Sequence, residues 1–253
     1  MNYKITSTSN ERIKFLKTLK TKKGRNDSKT YLIEGKRAVL DALSHNVKFN
    51  CLILEEGLNF DINASCDILT VPRHIIATLS ETSSPEGIIA QAFIPDLTFD
   101  INKISGLTVF LDRLQDAGNI GTIIRTCDAL GASAVVLSPG CCELFNPKTV
   151  RATMGSIFNI NVMIADNSIE TLNQIKNIGY TVYSAALQGE DFNKLNDINS
   201  NKSCVIIGNE GNGICDEILS VSDKIITLKM CGGAESLNAS IAAGILIYNF
   251  MNC

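Results

Sequence analysis

The order of apolar runs along the chain predicts an α/β protein with a largely parallel sheet. β-rich apolar runs alternate with helix-like stretches throughout the 253 residues, which is typical of strand–helix–strand units. The tightest runs, VVL at 135–137, VII at 205–207 and IITL at 225–228, are continuous rather than alternating. Strands buried on both faces of a parallel sheet read this way.

The first part of the chain predicts a small α/β region. Pro72 can stand at the start of a helix, where its missing N–H costs nothing. The predicted helices span 10–20, 34–43 and 74–79, and the predicted strands span 31–33, 51–54, 68–71 and 88–93. Residues 94–102 are polar, contain Pro95 and have no period, so they predict a linker between two domains, 1–98 and 104–253.

The second part repeats strand, loop and helix. The predicted strands span 107–111, 134–137, 160–164, 180–185, 204–207 and 225–228, and the predicted helices span 119–130, 147–153, 169–178, 215–221 and 236–251. A chain of this length has ample residues for a core in each domain.

Charge is distributed unevenly along the chain. The net charge is −3, yet residues 1–37 hold eleven Lys or Arg against three acidic residues, and the remainder is strongly acidic. A segment with such an excess creates a local field that the net charge conceals. It is either a solvated helix face with a flexible basic loop or a surface that contacts phosphates; charge alone leaves both open.

Cysteine usage and hydropathy bear on compartment and metals. The nine cysteines form no CxxC pair and have only His45 and His74 to join them, so we expect no zinc site. They are most simply small core residues in a reducing cytoplasm. No apolar run is long enough to cross a bilayer, and residues 1–14 contain no apolar signal core, so we expect neither a membrane span nor secretion.

Three polar loops follow predicted strands and should meet at one sheet edge. They span 112–121, 208–213 and 229–238. The glycines at 208, 211 and 213 follow GxxGxG, the reverse of the dinucleotide-binding order. Taken singly these features also fit tight turns and helix caps, with Asn119 or Ser236 as the capping residue.

Taken together and in order, the loops resemble the motifs of one family. Residues 119–125 (NIGTIIR), 207–213 (IGNEGNG) and 228–240 (LKMCGGAESLNAS) are similar to the three motifs of the SpoU (TrmH-type) RNA 2′-O-ribose methyltransferases of the SPOUT superfamily. Residues 146–156 (NPKTVRATMGS) resemble its arginine-glycine block. The basic opening, from SNERIK at 9–14 to IEGKR at 33–37, resembles the substrate-binding domain that precedes the catalytic domain in many members.

The resemblance implies a small N-terminal α/β RNA-binding domain followed by a SPOUT α/β domain with a C-terminal trefoil knot. The cofactor would be S-adenosyl-L-methionine, held by Gly208, Leu228, Met230 and Leu237. Lys229 stands where the family usually has proline, which puts the local loop shape in question. No metal is implied.

The resemblance also implies the catalytic residues: Arg125, Asn119, Glu210, Ser236 and Asn238. Arg125 is often described as the base, but a guanidinium has a pKa above ~12 and is a poor base. Our hypothesis is that it binds phosphate and stabilises a developing alkoxide. Asn119 would orient the ribose or Arg125, and Glu210 would fix the cofactor loop or cap the amides of 211–213.

The partners implied are RNA and a second copy of the chain. The residues expected to contact RNA are Lys14, Lys17, Lys20, Lys22, Lys23, Arg25, Arg37 and Arg151. A separate basic domain favours rRNA of the 23S type over tRNA. Two other functions stay open: a non-catalytic RNA-binding or ribosome-assembly protein on the same fold, and a nucleotide- or NAD-dependent α/β enzyme.

Overall fold

A computed structural model describes residues 1–62, 65–195 and 198–252, which fold into two compact units. Unit 1 comprises Met1–Asp96 together with Glu143–Phe158, and unit 2 comprises Leu97–Cys142 and Asn159–Cys253. Unit 1 is therefore discontinuous in sequence: it takes in the segment that carries the arginine-glycine block.

Eleven strands and nine α-helices lie within the described ranges. In chain order they are β1 (Asn2–Lys4), α1 (Glu11–Thr18), α2 (Lys22–Ser28), β2 (Thr30–Glu34), α3 (Lys36–Ser44), β3 (Phe49–Glu55), β4 (Asp67–Val71), α4 (Arg73–Leu79), β5 (Ile88–Phe93), β6 (Thr108–Leu111), α5 (Ala117–Leu130), β7 (Ala134–Leu137), α6 (Pro147–Ala152), β8 (Asn161–Ile164), α7 (Ser168–Asn177), β9 (Thr181–Asp191), β10 (Ser203–Ile207), α8 (Asp216–Val221), β11 (Lys224–Thr227) and α9 (Ala239–Met251).

Unit 1 is built on a five-stranded mixed sheet in the order β1-β4-β3-β5-β2. β4 pairs in parallel with β1 and β3, whereas β5 runs antiparallel to β3 and β2. α1 presents Ile13 and Leu16 to the core on one face, and both side chains are buried there. The polar residues of that helix are left outward, as its amphipathic sequence predicts.

Two elements of unit 1 were absent from the sequence prediction. β1 is only three residues long. α2 occupies the stretch that reads as a flexible basic loop, because KKGRNDS has no apolar period. The helix is stabilised instead by its N-cap residue Thr21, whose Oγ1 accepts the Gly24 amide at 3.1 Å. Burial of Arg25 also stabilises it.

Unit 2 is built on a six-stranded sheet in the order β11-β9-β10-β6-β7-β8, and every pair is parallel. The α/β prediction with a parallel sheet is therefore confirmed here. The core is formed by strand residues such as Phe110, Val136 and Ile206 with Leu172 and Ile175 of α7. β6, β7 and β10 are buried along their whole length, which explains their continuous apolar runs. β11 is an edge strand with Ile225 exposed, so the expectation of burial on both faces is wrong for the run at 225–228.

The helices that leave the loops begin at positions other than those predicted. α5 begins two residues early, capped by Asp116, whose side chain accepts the Asn119 amide at 2.9 Å. α9 begins at Ala239 with Asn238 as its cap, which accepts the amides of Ser240 and Ile241. Neither Asn119 nor Ser236 is a cap, so both side chains are available for other contacts.

None of the helices in the described ranges is long and apolar enough to span a membrane.

Candidate active site

Three loops of unit 2 meet where the carboxyl ends of its strands lie. The first follows β6, the second follows the neighbouring β10, and the third leads from β11 into α9. The first two are joined at their base, where the Asp112 amide donates to the Ile207 carbonyl at 2.8 Å. The sequence motifs at 119–125, 207–213 and 228–240 are therefore brought to one edge, as predicted for an open parallel sheet.

The second loop is a tight turn closed on itself. The backbone groups of Asn209 and Gly213 exchange two hydrogen bonds, at 3.0 and 2.9 Å. The Asn209 side chain accepts the amides of Gly211 and Asn212. A Cβ on Gly208 would lie 2.5 Å from the Gly213 carbonyl carbon, so Gly208 is required because the loop folds back against it.

A cavity of about 720 Å³ is lined by the second and third loops, together with residues 185–188 of β9 and the start of α9. Its size lies within the ~300–1,000 Å³ of small-molecule sites. The four predicted cofactor residues, Gly208, Leu228, Met230 and Leu237, all line it. The cavity thus offers apolar side chains and closely turned backbone, which fits a ligand of the size and mixed polarity of S-adenosylmethionine. Three predicted catalytic residues also line it: Glu210, Ser236 and Asn238.

A chain of hydrogen bonds links the three loops beside this cavity. Asn119 Nδ2 donates to Glu210 Oε1 at 2.9 Å, and Asn238 Nδ2 donates to Asn119 Oδ1 at 3.0 Å. Asn119 itself is buried. One carboxamide from the first loop thereby joins the carboxylate of the second to the helix cap of the third.

Glu210 anchors the start of α5 as well. Its two carboxylate oxygens accept the amides of Gln115 and Asp116, each at 3.2 Å. Partial burial alone would raise the pKa of Glu210, but the hydrogen bonds from Asn119 and from these amides outweigh it and lower the pKa below the usual glutamate value. The carboxylate is ionised at neutral pH and acts as an acceptor. It does not cap the amides of 211–213, because Asn209 accepts those amides, through its side chain for Gly211 and Asn212 and through its carbonyl for Gly213.

A buried carboxylate next to this network was missed by the sequence analysis. Asp112 is 1% exposed, and it accepts two hydrogen bonds from Arg113, at 2.9 and 3.0 Å, and the Cys215 amide at 3.2 Å. It therefore fixes both ends of the second loop to the first. Its signal was available, since an acidic residue directly after an apolar strand marks a polar strand end.

Arg125 lies on the exposed side of α5. None of the described residues forms a hydrogen bond or ion pair with it, and it is not among the residues that line the cavity. The structure brings Asn119 to Glu210 and Asn238 rather than to Arg125. The guanidinium is therefore open to a ligand outside the cofactor cavity.

Comparison with known proteins decides the family. The SpoU rRNA Methylase family model matches residues 106–248, and an MRM3-like substrate binding domain model matches residues 10–90. The chain is 34% identical to the 23S rRNA (guanosine(2553)-2′-O)-methyltransferase RlmP of Bacillus subtilis, over 97% of this chain and 98% of that one. The chain belongs to the SpoU rRNA methylase family.

Solved structures agree over nearly the full length. An AdoMet-bound rRNA methyltransferase from Sinorhizobium meliloti is 29% identical, with a TM-score of 0.90, and the match covers 99% of this chain and 98% of that one. A structure described as an RNA 2′-O ribose methyltransferase is 28% identical, with a TM-score of 0.85 and 98% coverage of each chain. This SpoU methylase is an S-adenosylmethionine-dependent RNA 2′-O-ribose methyltransferase, as the motifs predicted.

The predicted RNA-contacting residues of unit 1 differ in their exposure. Lys14, Lys22, Lys23, Arg37 and Arg151 are exposed, whereas Lys17 and Lys20 are half-buried. Lys20 Nζ donates to the Ser80 carbonyl at 2.7 Å and lies 3.3 Å from Glu81.

The prediction that Arg25 contacts RNA is wrong. Its side chain is 2% exposed, and its guanidinium donates to both oxygens of Glu143, at 2.8 and 2.6 Å, and to the Leu19 carbonyl at 2.7 Å. With its fork occupied and buried, Arg25 has no free face for phosphate. It is a structural residue of unit 1, which charge counting cannot distinguish from its lysine neighbours.

The cysteines that the structure describes are not part of the candidate active-site cavity. The eight cysteines in the described ranges are free, and burial raises the pKa of Cys204 to about 12. No group of three or more His, Cys, Asp or Glu side chains within those ranges is placed to hold a metal ion.

Proposed function

We propose that this SpoU methylase methylates a ribose 2′-hydroxyl of rRNA of the 23S type. The observation that carries the proposal is a cavity formed by the second and third motif loops, with the first motif loop joined to both through Asn119, in a chain that aligns end to end with RlmP of Bacillus subtilis. A tRNA is the less favoured substrate, because unit 1 adds a separate basic segment. A non-catalytic RNA-binding protein would have no use for a cavity lined by all four cofactor residues.

S-adenosylmethionine supplies a methyl group already activated on a sulfonium, so the protein has mainly to align two reactants. Gly208, Leu228, Met230 and Leu237 hold the cofactor, with Gly208 and Leu228 contributing backbone groups. Lys229 is exposed and leaves the backbone at 228 on the cavity wall, so the departure from proline is compatible with that contact.

Arg125 acts on the RNA. Its open guanidinium holds a backbone phosphate and stabilises negative charge as the 2′-hydroxyl loses its proton, because the fork matches anionic oxygens. Glu210, Asn119 and Asn238 keep the loops aligned around the cofactor. Ser236 is exposed at the mouth of the cavity, where its hydroxyl can contact the cofactor or the ribose.

The lysines of α1 and α2 contact RNA phosphates. Lys14 and Lys17 lie on α1, and Lys22 and Lys23 lie on the first turn of α2. Lys20, Arg37 and Arg151 extend the basic surface of unit 1. Lysine and arginine side chains of this kind attract RNA phosphates whatever the RNA sequence.

A second copy of the chain covers the outer face of α9. Ile241, Ile245 and Tyr248 are 54%, 40% and 57% exposed and recur at i, i+4 and i+7, so they form one apolar stripe. A stripe of this kind on a helix is a common interaction surface. We assign it to the homodimer that the family pattern implies, together with the trefoil knot in the same unit.

The domain bounds 1–98 and 104–253 stay our proposal for the RNA-binding and catalytic parts. The free cysteines favour a reducing compartment, and we place the protein in the cytoplasm with its rRNA.

Mapping of 2′-O-methyl sites in total RNA, with and without the gene, tests the function directly. The expected result is one ribose in large-subunit rRNA that loses its methyl group when the protein is absent. Calorimetry with S-adenosylmethionine and with NAD is the companion measurement. A complete set of unchanged ribose marks, or binding of NAD alone, would contradict the proposal.

A further inference from the structure

Unit 1 contains a cavity of its own, which the proposed function does not use. We call it the unit 1 cavity; it measures about 240 Å³. Its floor is apolar and comes from four elements of the unit, with Leu32, Leu79, Ile89 and Val150 all less than 10% exposed. This volume is smaller than the ~300–1,000 Å³ of sites for drug-sized molecules. The cavity therefore suits a ligand of about one planar ring system.

Carboxylates stand at the rim, and two of them are fixed. Glu34 accepts the hydroxyls of Ser80 and Thr82 on Oε1, the second at 2.8 Å, and the Glu81 amide on Oε2 at 3.0 Å. Glu86 accepts the Lys36 amide at 2.6 Å. With Glu81 they present acceptor oxygens around the cavity. A ligand inside must offer N–H or O–H donors, because a phosphate among three carboxylates would be repelled.

Two guanidinium groups at the same rim are open. Arg37 is 78% exposed and its ion pair with Asp41 is long, at 3.8 Å, so it is worth little. Arg151 is exposed, and none of the described residues forms a hydrogen bond or ion pair with it. Lys20, the third cation of the rim, is already bonded to Ser80 and Glu81. The rim can therefore hold an anionic group outside the cavity, above the acceptors.

The backbone beside the cavity is strained. Met154 has a φ of +51°, in the left-handed region, and its side chain is 47% exposed at the cavity wall. Gly155 follows with a φ of +93°, and a Cβ there would meet the Asp41 carboxylate at 2.6 Å. A bulky residue in this conformation costs on the order of 1–3 kcal/mol, and such strain gathers at binding sites.

We propose that the unit 1 cavity binds one unstacked nucleobase of the RNA substrate, away from the ribose that is methylated. The proposal rests on the proposed function. The base lies on the apolar floor against the Met154 thioether, its edge donates to Glu86, which accepts the Lys36 amide on Oε2 alone, and its phosphate meets Arg37 or Arg151. Unstacked bases are read by such edge contacts and by packing against apolar or guanidinium groups.

Guanine fits best, because its Watson–Crick edge presents two adjacent N–H donors to a carboxylate. A cationic peptide could also use the carboxylates, but the two open guanidinium groups disfavour it. The match of residues 10–90 to a substrate binding domain supports RNA as the occupant.

The first test uses methionine methyl groups as reporters. The full-length protein, labelled at the methyl carbons of its five methionines, is titrated with GMP, UMP and ribose 5-phosphate. We expect GMP to shift the Met154 resonance, identified through Met154→Leu, and UMP to shift it less at equal concentration. An equal shift with ribose 5-phosphate, or a GMP shift confined to Met230 in the cofactor cavity, would overturn the proposal.

The second test measures RNA affinity and methylation. Ala38 lines the unit 1 cavity, so Ala38→Phe fills it. We expect about tenfold weaker RNA binding, since each stacked base contributes appreciably, a raised KM for RNA, and unchanged S-adenosylmethionine binding. Arg151→Gln, an exposed change that spares the fold, should weaken RNA binding more than Lys48→Gln, which removes one exposed charge of unit 1 away from the cavity.

The two hypotheses fail differently. Wild-type protein that binds neither S-adenosylmethionine nor RNA, or transfers no methyl group, refutes the proposed function. Active wild-type protein whose RNA affinity survives both Ala38→Phe and Arg151→Gln refutes only the nucleobase site.

Discussion

Arg25 shows how much one side chain can differ from its neighbours in role. It lies two residues after Lys23 in the same basic run, yet it is buried and held by Glu143 and the Leu19 carbonyl. Breaking a buried ion pair by removing one partner typically costs ~3–5 kcal/mol. Lys22 and Lys23, in the same run, are exposed.

We therefore predict opposite results for two neighbouring substitutions. Arg25→Gln should lower the unfolding free energy by about 3 kcal/mol, because the bonds of the buried guanidinium to Glu143 and to the Leu19 carbonyl are lost. Lys22→Gln should leave unfolding within about 0.5 kcal/mol but weaken RNA binding and its salt dependence. Urea denaturation and filter binding measure the two effects. Equal stabilities would mean that the Arg25 pair contributes nothing.

Arg125 allows a second test of a single side chain. Arg125→Lys keeps the charge and loses the fork, so we expect methyl transfer to fall by roughly 100-fold, the scale of losing one charge-stabilising donor. Binding of S-adenosylmethionine should be unchanged, because Arg125 does not line the cofactor cavity. Arg73→Lys, an exposed change in unit 1, serves as the control. Full transfer by the Arg125 variant would refute the geometric role.

At the scale of the elements, Glu210 of the second loop holds the first loop in place through its bonds to Gln115, Asp116 and Asn119. The lowered pKa of its carboxyl means that the ionised form is favoured by the fold. Its contribution to stability is therefore present above the ordinary glutamate pKa of ~4.3 and is lost as the pH falls through the lower folded value.

This sign gives a pH-dependent prediction for Glu210→Gln. At pH 7 the variant should be less stable by about 1 kcal/mol or less, since the carboxylate is partly screened by solvent. The difference from wild type should persist down to about pH 5 and shrink below about pH 4. Thermal unfolding across this range measures it. A gap that widened on acidification would contradict the assigned direction.

Some elements could be predicted from the sequence and others could not. The strands of unit 2 were placed well because buried parallel strands leave continuous apolar runs, such as that of β10. α2 was not, because its helix depends on a cap and a buried arginine rather than on apolar period. The site loops were located by their motifs, but the link from Glu210 through Asn119 to Asn238 is a contact between distant segments. No local pattern encodes it.

For the molecule as a whole, the α9 stripe predicts an obligate second copy. Ile245→Asp places a charge in the middle of the stripe, so we expect sedimentation to show monomers and methyl transfer to be lost. Because Ile245 is 40% exposed within the chain, the fold itself should survive, which circular dichroism can check. Ile178→Asp, a change at an exposed isoleucine outside α9 and outside the cofactor cavity, controls for added charge on the association state. An active monomer would disprove the requirement for dimerisation.

The discontinuity of unit 1 has a consequence for synthesis. A nascent chain that has emerged only as far as Asp96 still lacks Glu143–Phe158, and with it the partner of Arg25. At ~5–20 residues per second, the roughly sixty missing residues take several seconds to arrive. During that interval Arg25 must stay hydrated or find another anion. Unit 1 thus cannot close on the ribosome in simple N-to-C order, and a fragment cut at residue 96 should behave as an unfinished fold.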